Sequence, residues 1–472
     1  MIRFDNSFAA LPPQFHAPQV PAKVPAPKLV KLNEGLARKI GIDPADLTVD
    51  VLAGNMVPEG AEPVATAYAG HQFGGFVPQL GDGRAVLLGE VIGPDGVRRD
   101  IQLKGAGRTV FSRNGDGRAV IGPVLREYVV SEAMAALGIP TTRALAAVTT
   151  GDLVRREGLL PGAVLTRVAE SHIRVGTFQF HFARRDTESL KRLLNYTIAR
   201  HYPAAAEAGN PALAFLEAVM QRQAELVARW MQVGFIHGVM NTDNMSVAGE
   251  TIDYGPCAFM DSYHPETVFS SIDRQGRYAW GNQPQIAHWN LAQLGSTLLT
   301  LVDRDAEKAR EAAQAVLDRF PLLFSEAYHK GFARKLGLEA VEKPLVSGLL
   351  TSMANNAVDF TLFFRHLGAL AEGGSAEPVR ALFEQPEAFD EWAKGWLPLG
   401  PDPAVMRAVN PVYIPRNHRM EEMIEAAEKG DYAPFERLLE VLSNPFEART
   451  EFAQYENPPQ PDEVVRATFC GT

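Results

Sequence analysis

The sequence predicts an α+β fold in which a small strand-rich lobe with one inserted helix precedes a larger helical lobe. Three observations predict it. Between about residues 63 and 150, short apolar runs alternate with glycines, which is strand-and-turn punctuation. Beyond about residue 176, long stretches of helical periodicity take over. Inside the strand-rich region the segment GPVLREYVVSEAMAALGIP reads instead as a helix: Pro123 suits its first turn, and Gly138 with Pro140 stops it.

Residues 1–62 form an N-terminal extension. The first thirty are proline-rich and aperiodic, so an extended arm over a folded surface is expected; 31–60 read as short helices and turns. Residues 63–175 make the small lobe. AVLLGEVI (85–92) and RDIQLKGA (99–106) read as neighbouring strands joined by the turn Gly93-Pro94-Asp95-Gly96, and VTTGDLVRREGLLPGAVLTRV reads as a second hairpin. Residues 176–400 make the helical lobe. DTESLKRLLNYTIARHYP opens on a cap at Asp186 or Thr187. A helix over 211–233 sets Leu213, Leu216, Met220, Val227, Trp230 and Met231 along one face. WNLAQLGSTLLTLVD and LVSGLLTSMANNAVDFTLFFRHLGALA supply further core helices. Residues 401–472 form a C-terminal extension of loop-like ending, closing on Cys-Gly-Thr. GDGRAV occurs at 81–86 and again at 115–120 with different flanks, so it is a recurring turn, not a repeat.

Composition narrows the function classes. A chain of 472 residues with 46% hydrophobic and 22% charged residues has an ordinary globular balance. A net charge of −10 is no footprint for nucleic acid. Only Cys257 and Cys470 are present, which excludes a disulfide framework and a Cys-rich zinc site. No apolar run approaches the ~18–20 residues of a membrane helix, so no membrane partner is expected. The opening MIRFDNSFAALPP lacks a charged segment followed by an apolar one, and the expectation is a cytoplasmic, bacterial enzyme.

The chemistry is carried by an ordered set of segments. Gly81-Asp82-Gly83-Arg84 stands just before a strand, where exposed backbone N–H groups can meet an anion. Lys104 lies on an apolar strand, and the inserted helix then supplies Glu127; a strand lysine held by a helix glutamate is how kinases position nucleotide phosphates. Glu132 is the rival, but it does not share Glu127's face. Then come Phe235-Ile236-His237-Gly238-Val239-Met240-Asn241-Thr242-Asp243-Asn244 and Thr251-Ile252-Asp253-Tyr254-Gly255. Against the kinase pattern H-R-D-x-x-x-x-N followed by D-F-G, His237, Asn244 and Asp253-Tyr254-Gly255 match in order, and Asn with Asp offers the oxygens Mg²⁺ prefers. The kinase aspartate falls at Val239, which accepts no proton; the nearby carboxylate is Asp243. Arg84, Arg108, Arg113, Arg118, Arg167 and Arg174 crowd the glycine-rich and hinge segments, and arginine pairs phosphate oxygens. Singly, each piece is explained by a surface turn, an edge lysine or a surface ion pair; the order of the whole set carries the reading.

Together YAGHQFGGFVPQLGDGR, DIQLKGAGRTVFSRNGDGRAV, HGVMNTDNMS and DYGP closely resemble the selenoprotein O family of protein adenylyltransferases, over nearly the whole chain. The resemblance implies a protein-kinase-like two-lobed fold that binds ATP flipped, so that the α-phosphate reacts and AMP passes to Ser, Thr or Tyr hydroxyls of proteins. It also implies Mg²⁺ or Mn²⁺ as metal, and for some members UTP as donor and UMP as the group moved. Carried over by motif, Gly81, Gly83, Arg84, Lys104, Asp116 and Gly117 would contact nucleotide, with Glu127 holding Lys104. Arg167 and Arg174 would grip phosphates, Asp243 would accept the proton, and Asn244 with Asp253 would hold the metal, Asp253 facing the nucleotide as well. Cys470 falls where many eukaryotic members carry selenocysteine, and a redox pairing with Cys257 is the speculative extension. Two other readings stay open: a phosphotransferase, against which Val239 argues, and a nucleotide-binding scaffold without turnover, against which Asp243, Asn244 and Asp253 argue.

Overall fold

A computed structural model describes residues 1–469. Cys470, and with it the expected pairing to Cys257, lies outside the described residues. The chain is a mixed α+β protein, with an antiparallel strand-rich N-terminal sheet and a helical C-terminal region.

The proline-rich arm is woven into the sheet. Its strands β1 (His16–Pro18) and β2 (Lys28–Leu32) form the two outer edges of an eight-stranded sheet. Two short helices follow, α1 (Glu34–Lys39) and α2 (Val49–Ala53). Then come β3 (Val64–Thr66), a small separate hairpin of β4 (Gly70–Gln72) and β5 (Gly75–Val77), and the central strands β6 (Ala85–Ile92) and β7 (Arg98–Lys104). The turn between β6 and β7 closes with the Gly93 N–H on the Val97 carbonyl at 3.0 Å. The short β8 (Ala119–Val120) leads into the inserted helix α3 (Ile121–Ala136), and the second hairpin is β9 (Arg143–Arg155) with β10 (Leu159–Ala169). The sheet runs β1-β3-β6-β7-β10-β9-β2, with β8 also on β10.

Strand alternation sorts residues by face. Ile101 and Leu103 of β7, with Val164 and Val168 of β10, join Leu36, Ile40 and Leu52 in a core under α1 and α2. Leu165 joins the larger core that α3 shares with the helical region. Gln102 and Lys104 alternate with Ile101 and Leu103, and Arg167 alternates with Val168, so the polar side chains come up on the α3 side. The antiparallel register sets Arg167 opposite Gln102 and Leu165 opposite Lys104.

The helices are α4 (Val175–Ala183), α5 (Thr187–His201), α6 (Pro211–Gln232), α7 (Gln283–Val302), α8 (Ala306–Leu317), α9 (Phe320–Lys335), α10 (Lys343–Asn355) and α11 (Phe360–Ala371), followed by further helices and a last helical turn ending at Tyr455. Asp186 is the cap of α5, accepting from the Ser189 N–H at 3.0 Å. On α6, Leu216, Met220, Val227, Trp230 and Met231 are buried as the periodicity predicts, while Leu213 is half-buried. The stretch after Leu345 is two helices, not one. Ala357 takes a left-handed φ of 47°, and Asp359 caps α11 through the Leu362 N–H at 2.8 Å. Among the described residues no helix is long and apolar enough to cross a membrane.

Candidate active site

Two segments meet where the sheet joins the helices. After α6, strand β11 (Phe235–Ile236) pairs antiparallel with β12 (Ala258–Phe259), so the intervening loop folds back on itself. His237 ties its two halves through Nε2 and the Ile252 carbonyl at 2.9 Å. The approach to α4 runs beside the same loop: Val175 N–H donates to the Met245 carbonyl, and Val247 N–H to the Ile173 carbonyl, each at 3.0 Å. That pairing delivers Arg174 to Asp243, whose carbonyl accepts from Arg174 Nη1 at 2.5 Å.

Asp253 is the centre of an ion network. Its carboxylate accepts from Lys104 Nζ at 3.0 Å, from Arg167 Nη1 at 2.6 Å, and from Arg174. Glu127 closes the ring, 2.5 Å from Lys104 Nζ and 3.1 Å from Arg167 Nη1. Arg167 Nε bonds Gln102 at 2.7 Å, and Gln102 donates to Asp82 at 3.1 Å. Burial alone would raise both carboxylic acids. For Asp253 the fields of Arg174, Lys104 and Arg167 outweigh it and hold the group well below the usual range. For Glu127, Lys104 and Arg167 do the same, and both remain ionised. Asp253 sits at a left-handed φ of 62°, a conformation rare outside glycine and most often kept where function uses it. Its side chain is 18 % exposed, so the network is not wholly sealed there.

A cleft of about 280 Å³ is lined by the two glycine turns, and Arg84, Asp116 and Asp243 stand on it. Gly117 has φ 70°, and a β-carbon on it would fall 2.2 Å from the Gly107 backbone, so the turn admits only glycine. Asp116 grips Arg156 through two bonds, at 2.8 and 3.1 Å. Asp243 lies at the floor, buried, with Oδ1 lacking any hydrogen-bond partner. Burial raises its pKa to about 6, against the opposing field of Arg174. It is therefore a stronger proton acceptor than a surface aspartate, yet still ionised at neutral pH.

The family model described as "Protein adenylyltransferase SelO" matches residues 1–443. The chain belongs to the SelO family of protein adenylyltransferases. Similar full-length relatives are the proteins called "Protein nucleotidyltransferase YdiU" from Methylorubrum populi (60% identical over 492 residues) and Rhodopseudomonas palustris strain BisB5 (60% over 486), each alignment covering 99% of both chains. The protein of that name from Bradyrhizobium diazoefficiens is 59% identical over 485 residues, again with 99% of both covered. As a SelO-family member the chain is an enzyme of the nucleotidyltransferase class.

The residues singled out by sequence fall into two groups. Gly81, Gly83, Arg84, Asp116, Gly117 and Asp243 line the cleft. Lys104, Glu127, Arg167, Arg174 and Asp253 make the ion network. Asn244 belongs to neither contact set. It ends the short turn Thr242–Asn244, and its amide Nδ2 donates to the Val239 carbonyl at 3.0 Å, leaving Oδ1 as the end available to a ligand. Glu132, the rival to Glu127, instead pairs with Arg143 at 2.6 Å. Of the other arginines singled out by sequence, Arg113 and Arg118 line the cleft, whereas Arg108 is turned to solvent with Nη2 on the Arg113 carbonyl at 3.2 Å.

Sequence reasoning missed Tyr68, whose ring lies 4.7 Å from the Arg174 guanidinium, and Gln72, whose Nε2 is 3.3 Å from Asp243 Oδ2. It also missed Gln102 and Arg156. Tyr68 and Gln72 both lie in the YAGHQFGGF stretch, whose odd density of polar and aromatic residues was the available signal.

The oxygens present suit a hard divalent cation. Asp253 is kept ionised, and the Asn244 amide is oriented by its nitrogen. Among the described residues no group of three or more His, Cys, Asp or Glu could hold a metal by itself. A cation here would therefore complete its shell with phosphate oxygens and water, as Mg²⁺ commonly does.

Proposed function

We propose that the chain transfers AMP from ATP to Ser, Thr or Tyr hydroxyls of other proteins, with ATP seated backwards in a kinase-like two-lobed frame. Residues 63–175 serve as its small lobe and 176–400 as its large lobe, with 1–62 and 401–472 as extensions. The observation that carries the reading is the location of Asp243. The kinase base position holds Val239, while Asp243 stands where the glycine-lined cleft meets the ion network.

On this reading Gly81, Gly83, Arg84 and the Asp116-Gly117 turn cradle the nucleotide. Lys104, Arg167 and Arg174, the cations that Asp253 and Glu127 now neutralise, are the groups a triphosphate engages. Asp243 accepts the proton of the target hydroxyl as its oxygen bonds to the α-phosphorus; the bond from that phosphorus to the bridging oxygen breaks, and pyrophosphate leaves with the electron pair. Asn244 and Asp253 would hold Mg²⁺ or Mn²⁺, which supplies charge neutralisation for the polyphosphate. UTP is an alternative donor for UMP transfer. The setting is the bacterial cytoplasm, with neither nucleic acid nor membrane as partner.

Incubation with a cell lysate and ATP labelled at the α- or the γ-phosphate tests this. Protein label from the α position alone is expected. Label from γ alone would make the chain a phosphotransferase, and none from either position would make it a binding scaffold.

A further inference from the structure

Three successive residues of the β4–β5 hairpin grip three successive residues of the loop that carries Asp243. The His71 N–H donates to Thr242 Oγ1 at 2.7 Å, Gln72 Nε2 to Asp243 Oδ2 at 3.3 Å, and the Phe73 N–H to Asn241 Oδ1 at 3.0 Å. The grip is buttressed on both sides. Thr242 Oγ1 donates to Gln179 Oε1 at 2.6 Å, and the other end of that amide is 2.8 Å from His71 Nδ1. Tyr278 OH donates to Asn241 Oδ1 at 2.7 Å, and its ring packs on Phe73 with centroids 5.1 Å apart.

The hairpin is shaped for this contact at a local cost. Phe73 takes a left-handed φ of 50°, unusual for an aromatic residue and retained only where surroundings over-determine it. Gly70 is packed so closely that a β-carbon there would fall 2.3 Å from Asp243 Oδ1. The hairpin thus touches both carboxylate oxygens: Oδ1 lies against bare Gly70 backbone, without a hydrogen-bond partner, and Oδ2 receives Gln72. Among the described residues Gln72 is the one side chain that donates to this carboxylate.

We infer that Gln72 is a positioning residue for the transfer reaction: its amide fixes the rotation of the Asp243 carboxylate, and the β4–β5 hairpin is the device that delivers it. The inference rests on Asp243 being the proton acceptor. Apart from packing on Gly70 and its own backbone, this carboxylate has among the described residues no other side chain to set its plane, and proton transfer depends on that orientation. Gln72 also lines the cleft, but it acts on the reaction through Asp243, so its loss falls on turnover more than on nucleotide binding.

The test uses the full-length chain, α-labelled ATP and an acceptor protein first found in the lysate assay. Gln72→Met keeps length and packing but removes the donor; Gln72→Asn keeps the amide but shortens its reach. Both are expected to lower kcat by ~10-fold or more, the scale of a hydrogen bond to a charged group. The fall in kcat is expected to exceed any change in KM for ATP or in affinity for a non-hydrolysable ATP analogue, and the melting temperature is expected to stay unchanged. Wild-type kcat in Gln72→Met, or a loss confined to ATP affinity, overturns the inference. Asp243→Ala, run alongside, separates the two claims. If it transfers normally, the base assignment fails. If it is inactive while Gln72→Met has wild-type kcat, the inference about Gln72 alone fails.

Discussion

Asp243 and Asp253 are joined through a single atom, Nη1 of Arg174, which donates to the carbonyl of the first and the carboxylate of the second. That one guanidinium nitrogen therefore ties together the two halves of the loop between β11 and β12. Arg174→Met removes the tie and leaves Asp253 with two cations instead of three. A loss of about 3 kcal/mol in urea unfolding is expected, the scale of breaking a buried pair. Arg174→Lys is expected to recover only a fraction of it, because an ammonium lacks the planar fork.

Asp243→Ala is expected to cut transfer by ~100-fold or more while nucleotide affinity survives. Its effect on stability has the opposite sign. With a pKa raised to about 6, the folded state binds more protons than the unfolded chain between the ordinary aspartate value and about 6, so stability falls as pH rises through that window. At pH 7 the ionised side chain is a net cost. Calorimetry of Asp243→Ala at pH 7 should show a melting temperature at or above wild type.

Lys104→Met deletes the ammonium that both Glu127 and Asp253 contact. Weaker ATP binding by titration calorimetry, together with lower transfer, is expected. Unchanged affinity and turnover would remove Lys104 from the nucleotide site.

Gly117→Ala is expected to destabilise by at least about 1–3 kcal/mol, since its φ of 70° and its contact with the Gly107 backbone both exclude a side chain. The glycine turn should shift with it, so ATP affinity should fall in the same titration.

A pH effect of different origin sits far from the cleft. Lys335 is buried at the end of α9, where burial lowers its pKa to about 7; Nζ bonds Asn410 Oδ1 at 2.9 Å and lies 4.0 Å from the Phe364 ring centre. The unfolded chain binds this proton up to the ordinary lysine value, while the folded chain releases it from about 7 upward. Stability should therefore rise with pH between about 7 and 10. Denaturation across that range should show the slope in wild type and a flatter profile in Lys335→Met.

Much of the frame was legible because local patterns dictate local structure. Apolar runs separated by glycine turns mark β6, β7 and the β9–β10 hairpin, and the proline and glycine that bracket 123–138 mark α3. The Lys104–Glu127 pairing was legible too, because an ammonium on an apolar strand needs a carboxylate and, of the two glutamates on α3, Glu132 does not share Glu127's face. The destination of the N-terminal arm was not legible. Its strands are short, and only pairing with β3 and β9 gives them direction. Nor did periodicity show the break between α10 and α11, since apolar residues continue through it; Ala357 and the Asp359 cap make it.

By itself the sequence determined which chemical groups are available: two glycine turns, a strand lysine, a helix glutamate, and an acid at 243 where 239 has none. These are properties of residue type and spacing, and they survive without coordinates. Only the tertiary structure decided which groups share an environment. It set three cations on Asp253, buried Asp243 until its acidity changed, and brought Gln72 to a loop 171 positions away. Desolvation and through-space charge depend on distance and burial, and neither is written in the order of residues along a chain.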